Sequence, residues 1–237
     1  MRQIIAMGGG GFSMEEENPL LDLYILKQAN TKKPKVCFIP TASGDAEGYI
    51  EKFYRCFEKF DCQPTHLSLF KPPLKMEEFV LQQDIFYVGG GNTRNLIILW
   101  KEWGFDQLLK QAWKKGAILA GLSAGSICWF EQGVTDSIPG KLTPLDCLGF
   151  LKGSHCPHYD SEKNRRPSYH KLIEANQIKD GIAADDGVAI HYINEAIYQV
   201  VSSRPNAKAY FVQKMDGKAT EQVIHPNYLG KEKDVSY

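Results

Sequence analysis

The sequence predicts an α/β domain: a mostly parallel sheet flanked by helices, with antiparallel strands added near the C-terminus. Three observations carry this. Short apolar, β-rich runs alternate with longer amphipathic stretches through the first half, which is the pattern of βαβ units. Glycine-rich turns close three of those runs, and from Gly187 onward the texture changes to short strands separated by turn residues.

The strand candidates of the first half are "QIIAM" (3–7), "KVCFIP" (35–40), "THLSLF" (65–70), "DIFYVGG" (84–90) and "AILAGLS" (117–123). Between them the spacing of apolar residues predicts helices over 18–30, where Pro19 suits a first turn, over 45–60, over 75–83 and over 92–115, with a break at Gly104. "SICWF" (126–130) reads as the buried face of a further helix, and "RRPSYHKLIEAN" (165–176) as another. Turn signals at 193–195, 204–206 and 216–217 then mark antiparallel strands at a sheet edge, and the polar tail 230–237 reads as frayed or loosely docked. There is no internal repeat and no linker, so residues 1–237 are read as one domain.

Composition excludes several classes. Lys plus Arg and Asp plus Glu both number 28, so no basic field is available for a phosphate backbone, and nucleic acid is not an expected partner. The apolar segment before Gly8 is too short for a signal-peptide core or a membrane span, which predicts a soluble, cytoplasmic protein. Six scattered cysteines without a CxxC pair read as reduced, small hydrophobes. Oligomeric state is left open between monomer and homodimer.

Three glycine turns follow strands. "MGGGGF" (7–12) fails the GxGxxG spacing, since Ser13 and Met14 stand where glycine is required, and Glu15, Glu16 and Glu17 would repel a pyrophosphate. It reads as a tight turn. "VGGGNT" (88–93) precedes a helix with Asn92 as its N-cap, and its glycines let backbone N–H groups approach a ligand. "GLSAG" (121–125) fits G-x-S-x-G between an apolar strand and a helix, the setting in which a serine is presented as a nucleophile.

A nucleophilic serine needs a base, and the base needs an orienting acid. His158 in "GSHCPHYD" is the best base, because Pro157 stiffens the segment that presents it; His155 is the rival. His170 on a helix and His191 in a strand read as structural. A metal site from His155, Cys156, His158 and Asp160 is disfavoured, since all four crowd one segment. Spacing alone leaves the acid open among Asp136, Asp160, Asp185 and Asp186.

With these residues in order, "VGGGNT", "GLSAGS", "VTDS" (134–137) and "PHYD" (157–160), the chain resembles the peptidase E family of serine peptidases, related to cyanophycinase, with the class I glutamine amidotransferase-like, flavodoxin-like fold. The resemblance implies a triad of Ser123, His158 and Asp136, and an oxyanion hole from backbone N–H groups at Gly90 or Gly91 and at Ala124. It implies small peptide substrates, dipeptides with N-terminal aspartate above all. Arg165, with Arg166 as the alternative, would hold the substrate carboxylate and Asn92 would add a polar contact; no metal or organic cofactor is implied. Two rivals remain. An α/β-hydrolase-type esterase would need a late histidine, for which His225 is the candidate, and a catalytically silent protein would bind a small ligand on the same scaffold. A glutamine amidotransferase would need cysteine where Ser123 stands.

Overall fold

Residues 1–230 are described by a computed structural model, in which two β-sheets share the strands; the tail beyond Gly230 lies outside the described residues. The first sheet takes β1 (Gln3–Met7), β2 (Lys35–Ile39), β3 (Gln63–His66), β4 (Ile85–Val88) and β5 (Ile118–Leu122) in parallel, in the order β1-β5-β4-β2-β3. β10 (Val188–Ile193) pairs antiparallel with β1, β11 (Ala196–Ser202) antiparallel with β10, and β14 (Asn227–Tyr228) completes the edge.

Strand side chains alternate between two faces, and the apolar runs fill both. Ile4, Ala6, Phe86, Val88 and Leu119 pack with Trp100, Leu109 and Trp113 from α5 (Thr93–Glu102) and α6 (Phe105–Lys115). Ile5, Met7, Phe38, Tyr87 and Ala120 face α2 (Leu20–Lys27) and α3 (Glu47–Phe57) through Leu21, Ile25, Phe53 and Phe57. Each fully buried side chain of this size contributes about 1.5–3 kcal/mol by transfer from water. Phe12, from the short α1 (Gly11–Met14), sits among Phe38, Tyr49, Phe53, Phe57 and Tyr87.

The helices fall where periodicity places them, shortened at their ends. The long stretch divides at Gly104, whose φ of 64° ends one helix and starts the next. α4 (Met76–Val80) is a single turn, and β3 covers Gln63–His66 rather than 65–70, with Leu67 and Leu69 beyond it buried in the core. The turns at Asn194-Glu195 and Asp216-Gly217 have the expected positive φ angles.

The second sheet departs from expectation. The helix after Ser123, α7, covers only Ala124–Ile127, and Phe130 already opens a strand, so "SICWF" is not one helix face. β6 (Phe130–Ile138), β7 (Lys141–Asp146), β8 (Leu151–Cys156) and β9 (Gly181–Ala184) join β12 (Ala209–Met215) and β13 (Lys218–Ile224) in the order β13-β12-β9-β8-β6-β7. Of the late antiparallel strands, β10 and β11 extend the first sheet while β12 and β13 close the second. α8 (Arg165–Glu174) covers the second sheet, with Tyr169 and Ile173 against Val134, Cys156 and Val212. No helix among the described residues is long and apolar enough to cross a membrane.

Candidate active site

Ser123 follows β5 with φ 53° and ψ −118°, a conformation a non-glycine residue keeps only when its surroundings hold it there. Its N–H donates to Met7 O (3.3 Å), and its C=O accepts from Ser126 N (3.0 Å) and Ile127 N (2.9 Å). The two glycines of the motif are there for space. A Cβ on Gly121 would collide with the Gly125 carbonyl, and one on Gly125 with the Val88 carbonyl. Ser123 Oγ has no hydrogen-bond partner among the described residues.

His158, also at positive φ (54°), donates from Nδ1 to Asp186 Oδ1 at 2.7 Å; the two side chains are 11% and 3% exposed. A carboxylate can only accept, so this bond sets the Nδ1–H tautomer and leaves Nε2 as an acceptor without a partner among the described residues. Burial pushes the Asp186 carboxyl up, but hydrogen bonds from His158 and Ser161, with the charge of Arg204, outweigh it and hold the group below the usual range. Asp186 therefore stays ionised. Its N–H is held by Asp160 Oδ1 at 2.9 Å, which gives Asp160 a supporting place rather than one on the imidazole.

The end of β1 brings these segments together. Met7 O takes the Ser123 N–H, Gly9 O takes Gly187 N–H (3.0 Å), and Gly9 bridges to Asp186. A Cβ on Gly9 would collide with Asp186 Oδ1 and reach 3.0 Å from His158 Cε1, so the His158–Asp186 bond passes directly over it. Gly90 is the corresponding neighbour of the serine: its Cβ position lies 3.2 Å from Ser123 Cβ and 3.7 Å from Oγ. Gly9 and Gly90 thus lie against side chains of the site, whereas Gly8 and Gly91 are kept small by backbone carbonyls of Asp185 and Ala42.

Other expected residues stand elsewhere. Asp136 is not beside His158: it lies on β6, its side chain 63% exposed, paired with Arg165 at 3.5 Å. Arg165 is 2% exposed and satisfied by Glu162 (2.5 Å), the Val134 carbonyl (2.8 Å) and Asp136, so it has the surroundings of a structural cation rather than of a substrate clamp. Arg166 pairs with Glu221, lies over the rings of Tyr159 and Tyr210, and keeps 47% of its side chain exposed. Asn92 caps α5 through Asn95 N (2.9 Å) while its amide donates to Ser137 O (3.1 Å), which occupies both ends of the side chain. Gly90 N–H donates to the Tyr49 hydroxyl (3.2 Å), whereas the N–H groups of Gly91 and Ala124 have no partner among the described residues.

The histidines separate clearly. His155 is fully buried, stacked on Phe130, and donates from Nδ1 to Ile182 O (3.0 Å), which leaves Nε2 as an acceptor facing Ser126 Oγ (3.1 Å), whose single proton also lies within reach of the Ser123 carbonyl (2.8 Å). Burial holds it neutral, its pKa lowered to about 3. It props the elbow from behind and is no rival base. His191 is likewise buried between Tyr24 and Gln3. Asp185 accepts from Lys208 N (2.9 Å), its carboxyl raised by burial to about 6. Among the described residues no cluster of three or more His, Cys, Asp or Glu side chains could hold a metal.

Comparison with known proteins identifies the family. Residues 4–200 match the sequence model of Peptidase family S51. The chain belongs to this family. It is a serine-type peptidase, and its likeness to peptidase E stands. An uncharacterized peptidase of Bacillus subtilis, YgaJ, is 58% identical over 231 residues, covering 97% of this chain and 100% of its own. Another, Lin0382 of Listeria innocua, is 28% identical over 151 residues, 60% of this chain and 72% of its own. The fold is shared with a peptidase from an acI-B1 Actinobacterium (TM-score 0.67, 20% identity, 95% of each chain). A second solved structure, from Listeria monocytogenes, carries the peptidase E name (TM-score 0.63, 21% identity, 86% of this chain and 98% of that one).

Sequence reasoning passed over Gly9 and Tyr49. The available signal for Gly9 was the run of four glycines that fits no nucleotide fingerprint.

Proposed function

We propose that this S51 peptidase hydrolyses small peptides through Ser123 as nucleophile, His158 as general base and Asp186, in place of Asp136, as the orienting acid. The observation that carries the proposal is the strained Ser123 at the end of β5, tied by its N–H to the end of the adjacent strand β1, and the His158–Asp186 pair laid over Gly9, two residues beyond that strand. Ser123 Oγ attacks the peptide carbonyl as His158 Nε2 takes its proton. The N–H groups of Ala124 and Gly91 hold the oxyanion, and His158 then protonates the leaving amine. Water repeats the sequence on the acyl-enzyme. Unpaired, mostly buried cysteines suit a reducing cytoplasm.

A preference for an N-terminal aspartate requires a cation with a free face. Arg165 has none, and we assign the substrate carboxylate to Arg166, which stacks on Tyr159, the neighbour of His158, and exchanges Glu221 for the substrate.

A dipeptide panel varying the first residue tests both parts. Ser123→Ala is expected to lower kcat by several orders of magnitude with the fold intact. Arg166→Ala is expected to raise KM for Asp-X peptides selectively. Hydrolysis undiminished in Ser123→Ala ends the mechanism, and indifference of the wild type to an acidic first residue ends the role of Arg166.

A further inference from the structure

The upstream glycine turn carries a feature that the hydrolytic mechanism does not use. Its three consecutive glycines, 89–91, have no side chains to restrain their peptide planes, and Gly91 sits at φ 137°, open only to glycine. An oxyanion donor is effective only when it is aimed in advance. Something outside the turn must therefore hold it.

The Tyr49 hydroxyl does so. It accepts the Gly90 N–H at 3.2 Å and donates its own proton to Ser13 Oγ at 3.0 Å, so both polar functions of the phenol are used. Burial raises the phenol above its ordinary pKa, which keeps the donating proton in place. The ring is fixed by Phe12 (stacked, centroids 5.5 Å apart) and Phe38 (edge-on, 5.1 Å), and its Cε1 lies 2.8 Å from where a Cβ of Gly89 would stand. Ser13 is held in turn on α1, where Lys52 Nζ donates to its carbonyl at 2.8 Å. The phenol thus clamps the peptide plane joining Gly89 to Gly90, directly beside Ser123.

We propose that Tyr49 is a positioning residue for the oxyanion turn: by engaging Gly90 N–H it withdraws that donor and fixes the turn so that Gly91 N–H, with Ala124 N–H, is the pair presented to the developing oxyanion. Ser13 and the glycine run before it serve to hold Tyr49. This rests on the Ser123 mechanism proposed above.

The test is the rate of covalent labelling by a fluorophosphonate probe, alongside kcat and KM on the best dipeptide of the panel. Tyr49→Phe keeps the ring and deletes the hydroxyl. It is expected to slow labelling and kcat about tenfold, the scale of one lost hydrogen bond, with KM within about twofold and the melting temperature nearly unchanged. Ser13→Ala, which leaves the Gly90 bond in place, is expected to lose less. Labelling of Tyr49→Phe at the wild-type rate, or a loss that only follows the folded fraction, overturns the proposal while the mechanism stands. Absence of labelling at Ser123 in the wild type overturns both. Amide exchange in the wild type gives a check independent of any variant: Gly90 should exchange at least about 100-fold more slowly than Gly91, whose N–H has no partner among the described residues, and equal rates refute the clamp.

Discussion

His158 Nδ1 and Asp186 Oδ1 lie 2.7 Å apart across the backbone of Gly9, so a residue near the amino terminus makes room for a contact between two residues of the second half. The partnership distinguishes Asp186 from the other acids that spacing left open. Asp186→Asn should preserve the geometry but lose the charge that stabilises the imidazolium, and kcat should fall roughly 10²- to 10⁴-fold. Asp136→Asn, on an exposed side chain facing Arg165, should leave kcat within about threefold. Steady-state kinetics of the two variants side by side checks this; the reverse order of effects would return the role to Asp136.

Gly9→Ala is expected to damage catalysis out of proportion to its size. The added methyl collides with Asp186 Oδ1 and crowds His158 Cε1, so one of the two must move. We expect a loss of at least about 100-fold in kcat, on the scale of an ångström-sized misplacement of a reacting group. Circular dichroism should show the fold retained.

His155 makes a signed prediction about stability. Its imidazole is held neutral by burial, down to about pH 3, whereas in the unfolded chain it takes a proton near pH 6.5. Its contribution is complete above that pH and is lost as pH falls from about 6.5 toward 3. His155→Phe should be less stable than wild type at pH 8, because the buried Ile182 carbonyl loses its donor, and the difference should narrow on acidification. Urea denaturation at several pH values measures it.

Asp22 works in the opposite sense. Burial raises its carboxyl to about 7 despite the hydrogen bond from Tyr87 (3.0 Å), and its second oxygen has no partner among the described residues. An acid raised in the folded state stabilises fully below its unfolded value and loses that contribution as pH climbs from about 4 to 7. Asp22→Asn should therefore gain stability relative to wild type over this interval, by at most roughly 4 kcal/mol. A constant difference from pH 4 to 8 would contradict the assignment.

Most of the parallel half of the fold was legible because β1, β2, β4 and β5 are buried on both faces and read as uninterrupted apolar runs, such as "VCFI" and "IFYV"; the edge strand β3 is polar and was read too far along the chain. The second sheet was hidden for physical reasons. Its strand after the elbow begins inside an apolar run that also suits a helix, and β7 contains Pro144, tolerated because that strand lies at the sheet edge. Ser123 and His158 could be found from local signals, a motif and a proline-stiffened loop. Asp186 could not, because its selection depends on the bridge between Gly9 and the turn before β10. Arg165 looked like a free cation because its acceptors lie on β6 and three residues upstream, with nothing in the spacing to reveal them.

The pairing of β1 has a temporal meaning as well. Its neighbours in the sheet are β5 and β10, both more than a hundred residues downstream, and the histidine–aspartate contact closes over the glycine that follows it. Such long-range pairing forms late and slowly. On the ribosome, a nascent chain that has emerged only as far as the serine elbow holds neither His158 nor Asp186, so the contact between them over Gly9 can close only after residue 186 has emerged.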